Sequence, residues 1–210
     1  MMRVSVSFLK PKESIEKTIS EIDATTADYL HVDLMDGKFV STCNFQSEQM
    51  LQVLKRSKKP LDIHFMAYDL IKYINDFSIL KPEFITFQAE ATSEIKQIIA
   101  LIHEKGCKAG LAIKPETNIT SIIPYLSIVD LVLVMSVEPG KGGQKFLEST
   151  FEKLKKLKEL QKNFHFVINV DGGINNENIT TLKEIGVDMV VSGSFITLSD
   201  HFEEKIQILK

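Results

Sequence analysis

Short runs of alternating apolar and polar residues recur along the chain, each followed by a stretch with helical spacing. Arg3 to Leu9 alternates Ser5 and Ser7 with Val4, Val6 and Phe8. Pro11 to Ala24 then carries Ile15, Ile19 and Ile22 at the spacing of one helix face. The same rhythm predicts strands near Asp28–Met35, Leu61–Met66, Phe84–Gln88, Cys107–Ile113, Leu131–Val137, His165–Asp171 and Asp188–Ser192. Helices are expected over Phe45–Arg56, Leu70–Leu80, Ser93–Lys105, Thr117–Tyr125, Glu148–Gln161, Asn176–Ile185 and His201–Leu209. Gly106 and Gly186 sit where helix ends favour glycine. Eight strand-helix units in succession point to a parallel sheet. They fit one closed (β/α)8 TIM barrel spanning residues 1–210, whose active site belongs at the carboxyl ends of the strands. An open doubly wound sheet usually has a glycine-rich turn after its first strand, and Leu9–Glu13 contains no glycine.

The strand faces carry unusual chemistry. In Tyr29–Met35, one face holds His31, Asp33 and Met35 and the other is aliphatic. Leu61–Met66 repeats this with Asp62, His64 and Met66, and Phe166–Asp171 with Asn169 and Asp171. A buried imidazole or carboxylate is costly unless something satisfies it. Hydrogen bonds at strand ends would explain one such pattern. Three strands ending alike favour a divalent-cation site made by His31, Asp33, His64 and Asp171, with room for substrate oxygens.

Glycine turns follow the last three strands: Pro139–Gln144, Asp171–Ile174 and Ser192–Ser194. Each could be a plain tight turn. Their grouping favours a phosphate cradled by backbone N–H groups. Lys141 lies inside the first turn, as a point charge for the phosphate or as a solvated surface residue. Met35, Met66 and Met135 lie on the inward face, either as core filler or as a ring around the cation site.

Composition narrows the function classes. The formal charge of −3 gives no nucleic-acid footprint. No apolar run is long enough for a membrane span, and strand-like sequence from Arg3 leaves no room for a signal peptide. Cys43 and Cys107 form no CxxC, which argues against a disulfide framework and against a cysteine zinc site, and makes a reducing cytoplasm the simplest compartment.

Four motifs, in order, resemble the ribulose-phosphate 3-epimerase family: His31–Gly37, Asp62–Met66, Val134–Gly140 with Gly142–Phe146, and Val170–Ile174. The resemblance runs from Ser7 to about Ser194. It implies a barrel of the ribulose-phosphate-binding type that interconverts D-ribulose 5-phosphate and D-xylulose 5-phosphate. His31, Asp33, His64 and Asp171 would be the metal ligands, with Asp33 and Asp171 also exchanging the proton. Ser7, His31 and His64 would touch the sugar. Gly140, Lys141, Gly142, Gly143, Gly172, Gly173, Gly193 and Ser194 would surround its phosphate. The metal would be zinc, iron, manganese or cobalt, with no nicotinamide, flavin or pyridoxal group. The partner is then a small sugar phosphate, with neither nucleic acid nor membrane, and a homo-oligomer is expected.

The chain departs from the family pattern at Val6, Lys10, Ser41, Gln88, Lys141 and Asn169, and none of these removes a proposed ligand. The rival readings are a 3-epimerase for a longer ketose phosphate such as allulose 6-phosphate, admitted near Ser41–Phe45 and Lys141, and a non-catalytic sugar-phosphate binder. A related barrel lyase is disfavoured, because Leu34 and Met35 follow Asp33 where that relative carries lysine among aspartates.

Overall fold

The structure is a computed structural model and describes residues 2–44 and 47–210. Eight parallel strands close on themselves in sequence order: β1 (Arg3–Ser7), β2 (Tyr29–Met35), β3 (Leu61–Met66), β4 (Phe84–Gln88), β5 (Lys108–Ile113), β6 (Leu131–Met135), β7 (Val167–Asp171) and β8 (Met189–Ser192). Ring closure is made by β8 against β1, with Val4 opposite Val190. Closure removes both sheet edges, so no strand is left with unpaired backbone.

Strand residues are buried on both faces, because one face fills the barrel and the other meets the helices. The outward aliphatics, such as Val32, Ile63, Phe65 and Ile168, pack beneath helices in one large core. A smaller cluster of Phe84, Leu131, Leu133, Met135, Met189 and Val191 fills the barrel, with Tyr29 edge-on to Phe84 at 5.7 Å. Gly110 belongs to this interior, where a Cβ would stand 2.1 Å from Thr86 Oγ1. Only hydrogen fits there.

The helical layer comprises α1 (Ile15–Asp23), α2 (Ser47–Leu54), α3 (Leu70–Ser78), α4 (Ile95–Glu104), α5 (Ser149–Leu160), α6 (Ile179–Ile185), α7 (Ser194–Thr197) and α8 (Phe202–Leu209). The first helix starts at Ile15 rather than at the expected Pro11, because Ser14 Oγ accepts from Lys17 N and caps it there. Gly186 closes α6 in the left-handed conformation at φ +84°. Of the helix expected over Phe45–Arg56, α2 covers Ser47–Leu54, and Phe45 and Gln46 lie outside the described residues.

Two elements differ from the sequence pattern. Thr117–Tyr125 is not one helix but two 3-10 turns, Ile119–Ser121 and Ile123–Tyr125. Asn118 Oδ1 accepts from Thr120 N to start the first turn, and Pro124 has no N–H for a continuing α-helical ladder. The extra one-turn helix α7 follows β8, and Thr197 Oγ1 donates to Lys10 O at 3.0 Å, tying it to the loop after β1.

Candidate active site

The strand register assembles the polar cluster. Asp33 on β2 pairs in register with His64 on β3, and His31 with Asp62. The alternation that makes β2 aliphatic outside therefore stacks two imidazoles and two carboxylates inside. Asp171 reaches the cluster from the end of β7. One ligand atom each from His31, Asp33, His64 and Asp171 lies within 4.8 Å of all the others.

The contacts converge on Asp33. Its Oδ1 is 3.2 Å from His31 Nε2 and 3.3 Å from His64 Nδ1, and its Oδ2 accepts from Ser7 Oγ at 2.9 Å. Asp171 Oδ2 stands 4.0 Å from both of those ring nitrogens. The far side of each ring is engaged elsewhere. His31 Nδ1 lies 2.7 Å from Asp62 Oδ2, which also accepts from Ser5 Oγ, and His64 Nε2 lies 3.1 Å from Gln88 Nε2. Outer partners of this kind fix a ring's orientation and tautomer, leaving the inner nitrogen as a ligand. A neutral His64 offering Nδ1 carries its proton on Nε2, so the Gln88 amide is read with its oxygen toward the ring.

Two imidazoles and two carboxylates suit a divalent cation of the zinc, iron, manganese or cobalt type. The four donors fit such an ion, and each histidine already has an outer partner. Without a cation, the two carboxylates sit in unequal environments. Burial pushes the Asp171 carboxyl up to about 7, helped by the nearby Asp33 charge. For Asp33, burial acts upward too, but the charge and hydrogen bonds of His31, with those of His64, hold it well below the usual carboxylate range. His31 is raised: burial disfavours its charged form, and the Asp33 and Asp62 carboxylates override that. The pair is thus split into one ionised and one protonable carboxyl near neutrality.

A cavity opens above this cluster at the carboxyl ends of the strands. Asp33, Asp171 and Ser7 form its inner wall, with Met66 and Met135 beside them. His31 and His64 are fully buried behind that wall, and Met35 is buried off it. The outer wall is made by the glycine turns. Gly140, Lys141, Gly142 and Gly143 come from the loop after β6. Gly172 and Gly173 follow β7, and Gly193 and Ser194 follow β8. Gly173 has φ +64°, and a Cβ on it would meet Phe146 N at 2.5 Å, so this turn and the β6 loop are packed backbone to backbone. Ser136 Oγ, donating to Asp171 O at 2.9 Å and Gly172 O at 2.6 Å, joins the ends of β6 and β7.

Sequence reasoning placed the four-residue cluster and the glycine turns but gave Asp62, Ser5 and Asn44 no role. Asp62 was visible on the inward face of β3, yet only the register reveals that it meets His31. Asn44 Nδ2 donates to Asp33 O and its Oδ1 accepts from Met35 N, pinning the end of β2, and no local pattern signals this.

Among the described residues, no helix is long and apolar enough to cross a membrane. Among solved structures, the chain is similar to a tryptophan synthase A-subunit from Pyrococcus furiosus, with TM-score 0.75, 14% identity and coverage of 99% of this chain and 96% of that one. It is also similar to N-(5'-phosphoribosyl)anthranilate isomerase from Pyrococcus furiosus, with TM-score 0.67, 14% identity and coverage of 100% and 96%. At that identity the likeness speaks for the barrel fold alone. Sequence relatives go further. The ribulose-phosphate 3-epimerase of Helicobacter pylori (strain ATCC 700392 / 26695) is 39% identical over 195 residues, 92% of this chain and 87% of that protein. The enzyme of the same name from Aquifex aeolicus is 38% identical over 186 residues, 88% of this chain and 84% of that protein. The one from Bacillus subtilis is 33% identical over 200 residues, 93% of this chain and 92% of that protein. With the sequence model of the ribulose-phosphate 3 epimerase family matching residues 3–197, this chain belongs to that family and is an isomerase of the epimerase type.

Proposed function

We propose that the protein is a metal-dependent 3-epimerase that interconverts D-ribulose 5-phosphate and D-xylulose 5-phosphate by two-base proton transfer. The observation that carries this reading is the pair Asp33 and Asp171, two carboxylates from β2 and β7 on the wall of one cavity, whose surroundings shift them in opposite directions. Inverting a carbon next to a carbonyl requires removing a proton from one face and returning one to the other. The ionised Asp33 takes the C3 proton, and the protonated Asp171 supplies one to the opposite face. In the reverse direction the roles exchange.

His31, Asp33, His64 and Asp171 would hold the divalent cation. When bound, it supplies Lewis-acid stabilisation to the negative oxygens of the substrate's enediolate. Ser7, donating to Asp33 Oδ2, holds that carboxylate in place beside the sugar. Met66 and Met135 limit water around the reacting carbon. The backbone N–H groups of residues 140–143, 172–173 and 193–194 bind the phosphate and fix the sugar's register.

Turnover by metal-replete protein tests this reading, with ribulose 5-phosphate and allulose 6-phosphate compared and the metal content measured. The expected result is a higher kcat/KM for the pentose phosphate, lost on chelation and restored by a divalent ion. Absence of turnover with a metal-loaded site would reject it.

A further inference from the structure

The loop after β1 brings a cation to the glycine turns. Lys10 lines the same cavity as Ser7, Gly142, Gly143 and Ser194. Its stem lies against the β6 loop: a Cβ built on Gly142 would stand 3.4 Å from Lys10 Cβ. Its tip goes further along that loop, with Nζ 3.3 Å from the Cβ position of Gly143. Glycine at both positions leaves the lysine free to lie flat along the turn. The backbone of Lys10 is itself held, because its carbonyl accepts from Thr197 Oγ1 at 3.0 Å, on the helix that starts at Ser194.

Among the described residues, Lys10 Nζ makes no hydrogen bond or ion pair. Its neighbour Lys12, by contrast, is paired with Asp200. Glu138 also lines the cavity but does not pair with Lys10. An ammonium lying along the Gly142–Gly143 turn at the mouth of a polar cavity is placed to meet an anion bound there.

We propose that Lys10 is the cationic ligand of the phosphate in this site, closing from the β1 side the cradle formed by the turns after β6, β7 and β8. This rests on the reading of the cavity as a sugar-phosphate site, and it adds the residue that supplies charge. The backbone groups give geometry, and Lys10 gives the Coulombic attraction that distinguishes a phosphorylated ketose from its free sugar. Lys141 belongs to the turn itself and is exposed, as Lys10 is; what singles out Lys10 is that its side chain lies along Gly142 and Gly143.

The test is calorimetric titration of inorganic phosphate into the metal-replete protein and its Lys10→Met, Lys10→Arg and Lys12→Met variants. Lys10→Met should raise the phosphate Kd by about tenfold, the scale of one charge-assisted contact. Lys10→Arg keeps the cation and should retain most of the affinity. Lys12→Met removes the same charge two residues away and should leave Kd as in the parent protein. In kinetics, Lys10→Met should raise KM for ribulose 5-phosphate by more than it lowers kcat. Unchanged metal content in Lys10→Met shows that the site is intact. An unchanged phosphate Kd in Lys10→Met, or equal weakening in Lys12→Met, would overturn the proposal. Parent protein that binds phosphate through Lys10 but does not turn over ribulose 5-phosphate would leave this contact standing and remove the epimerase reading.

Discussion

Asp62 governs how His31 meets a ligand. It takes no part in the cavity wall, being 1% exposed, yet it lies 2.7 Å from His31 Nδ1 and leaves Nε2 facing Asp33. Loss of such a partner lowers ligand basicity and frees the ring to turn. Asp62→Asn should therefore weaken divalent-metal affinity by about 10–100-fold, measured by competition with a chelator. Affinity equal to the parent protein would show that His31 is oriented by packing alone. The residue scale is also where sequence legibility varies most. His31, Asp33, His64 and Asp171 stood out because polar side chains on an otherwise aliphatic strand demand a reason. Asp62 shared that face, but its partner depends on the pairing of β2 with β3, and register between strands is a non-local property.

At the scale of elements, the strands were legible because a barrel strand must present apolar residues outward at every second position. The turn after β5 was not. Ile119, Ile122 and Leu126 are buried at helix-like spacing, and that spacing also suits two successive 3-10 turns that part at Ile122, with Pro124 inside the second. Helix α7 spans four residues and is too short to show a period at all. The glycine turns are elements in the same sense, and one of them makes a direct prediction. Gly173→Ala puts a Cβ 2.5 Å from Phe146 N and 2.9 Å from Gln144 O at φ +64°. The β6 loop must then move away from the turn after β7. Stability should fall by about 1 kcal/mol or more, and KM for the sugar phosphate should rise with it. Thermal unfolding and steady-state kinetics check both parts, and an unchanged KM would separate this turn from phosphate binding.

The whole molecule is a barrel filled by side chains and wrapped by helices, and its two cores have separate tasks. The outer one carries stability. Phe65 is fully buried there and packs edge-on to Phe77, at 5.9 Å between ring centroids, and against Tyr73. Phe65→Ala should cost about 3–5 kcal/mol in denaturant unfolding, with the metal site intact in the folded fraction. A loss under 1 kcal/mol would mean that the helical layer collapses onto the vacated space. The inner core supports the site from below, so a cation held there would bind the folded state alone and stabilise it. Saturation at about 100 times Kd would add about 2.7 kcal/mol to stability, seen as a higher Tm that a chelator reverses. The closed topology was inferable because eight strand-helix units follow one another without a glycine-rich turn after the first strand. Closure itself rests on β8 meeting β1, a contact between chain ends that local patterns do not encode.

Solvent-deuterium exchange by metal-replete Asp33→Asn and Asp171→Asn proteins addresses the two-base claim most directly. Each variant should fail to epimerise, because one face of the intermediate has lost its acid or base. The surviving carboxylate should still exchange the C3 hydrogen on its own face. Each protein should then wash deuterium into one epimer without forming the other, and the two should prefer opposite epimers. Metal content measured in each variant keeps the result from being a loss of the cation. Epimerisation at a near-parental rate by metal-replete Asp171→Asn would contradict the account, since Asp171 could not then be the second base.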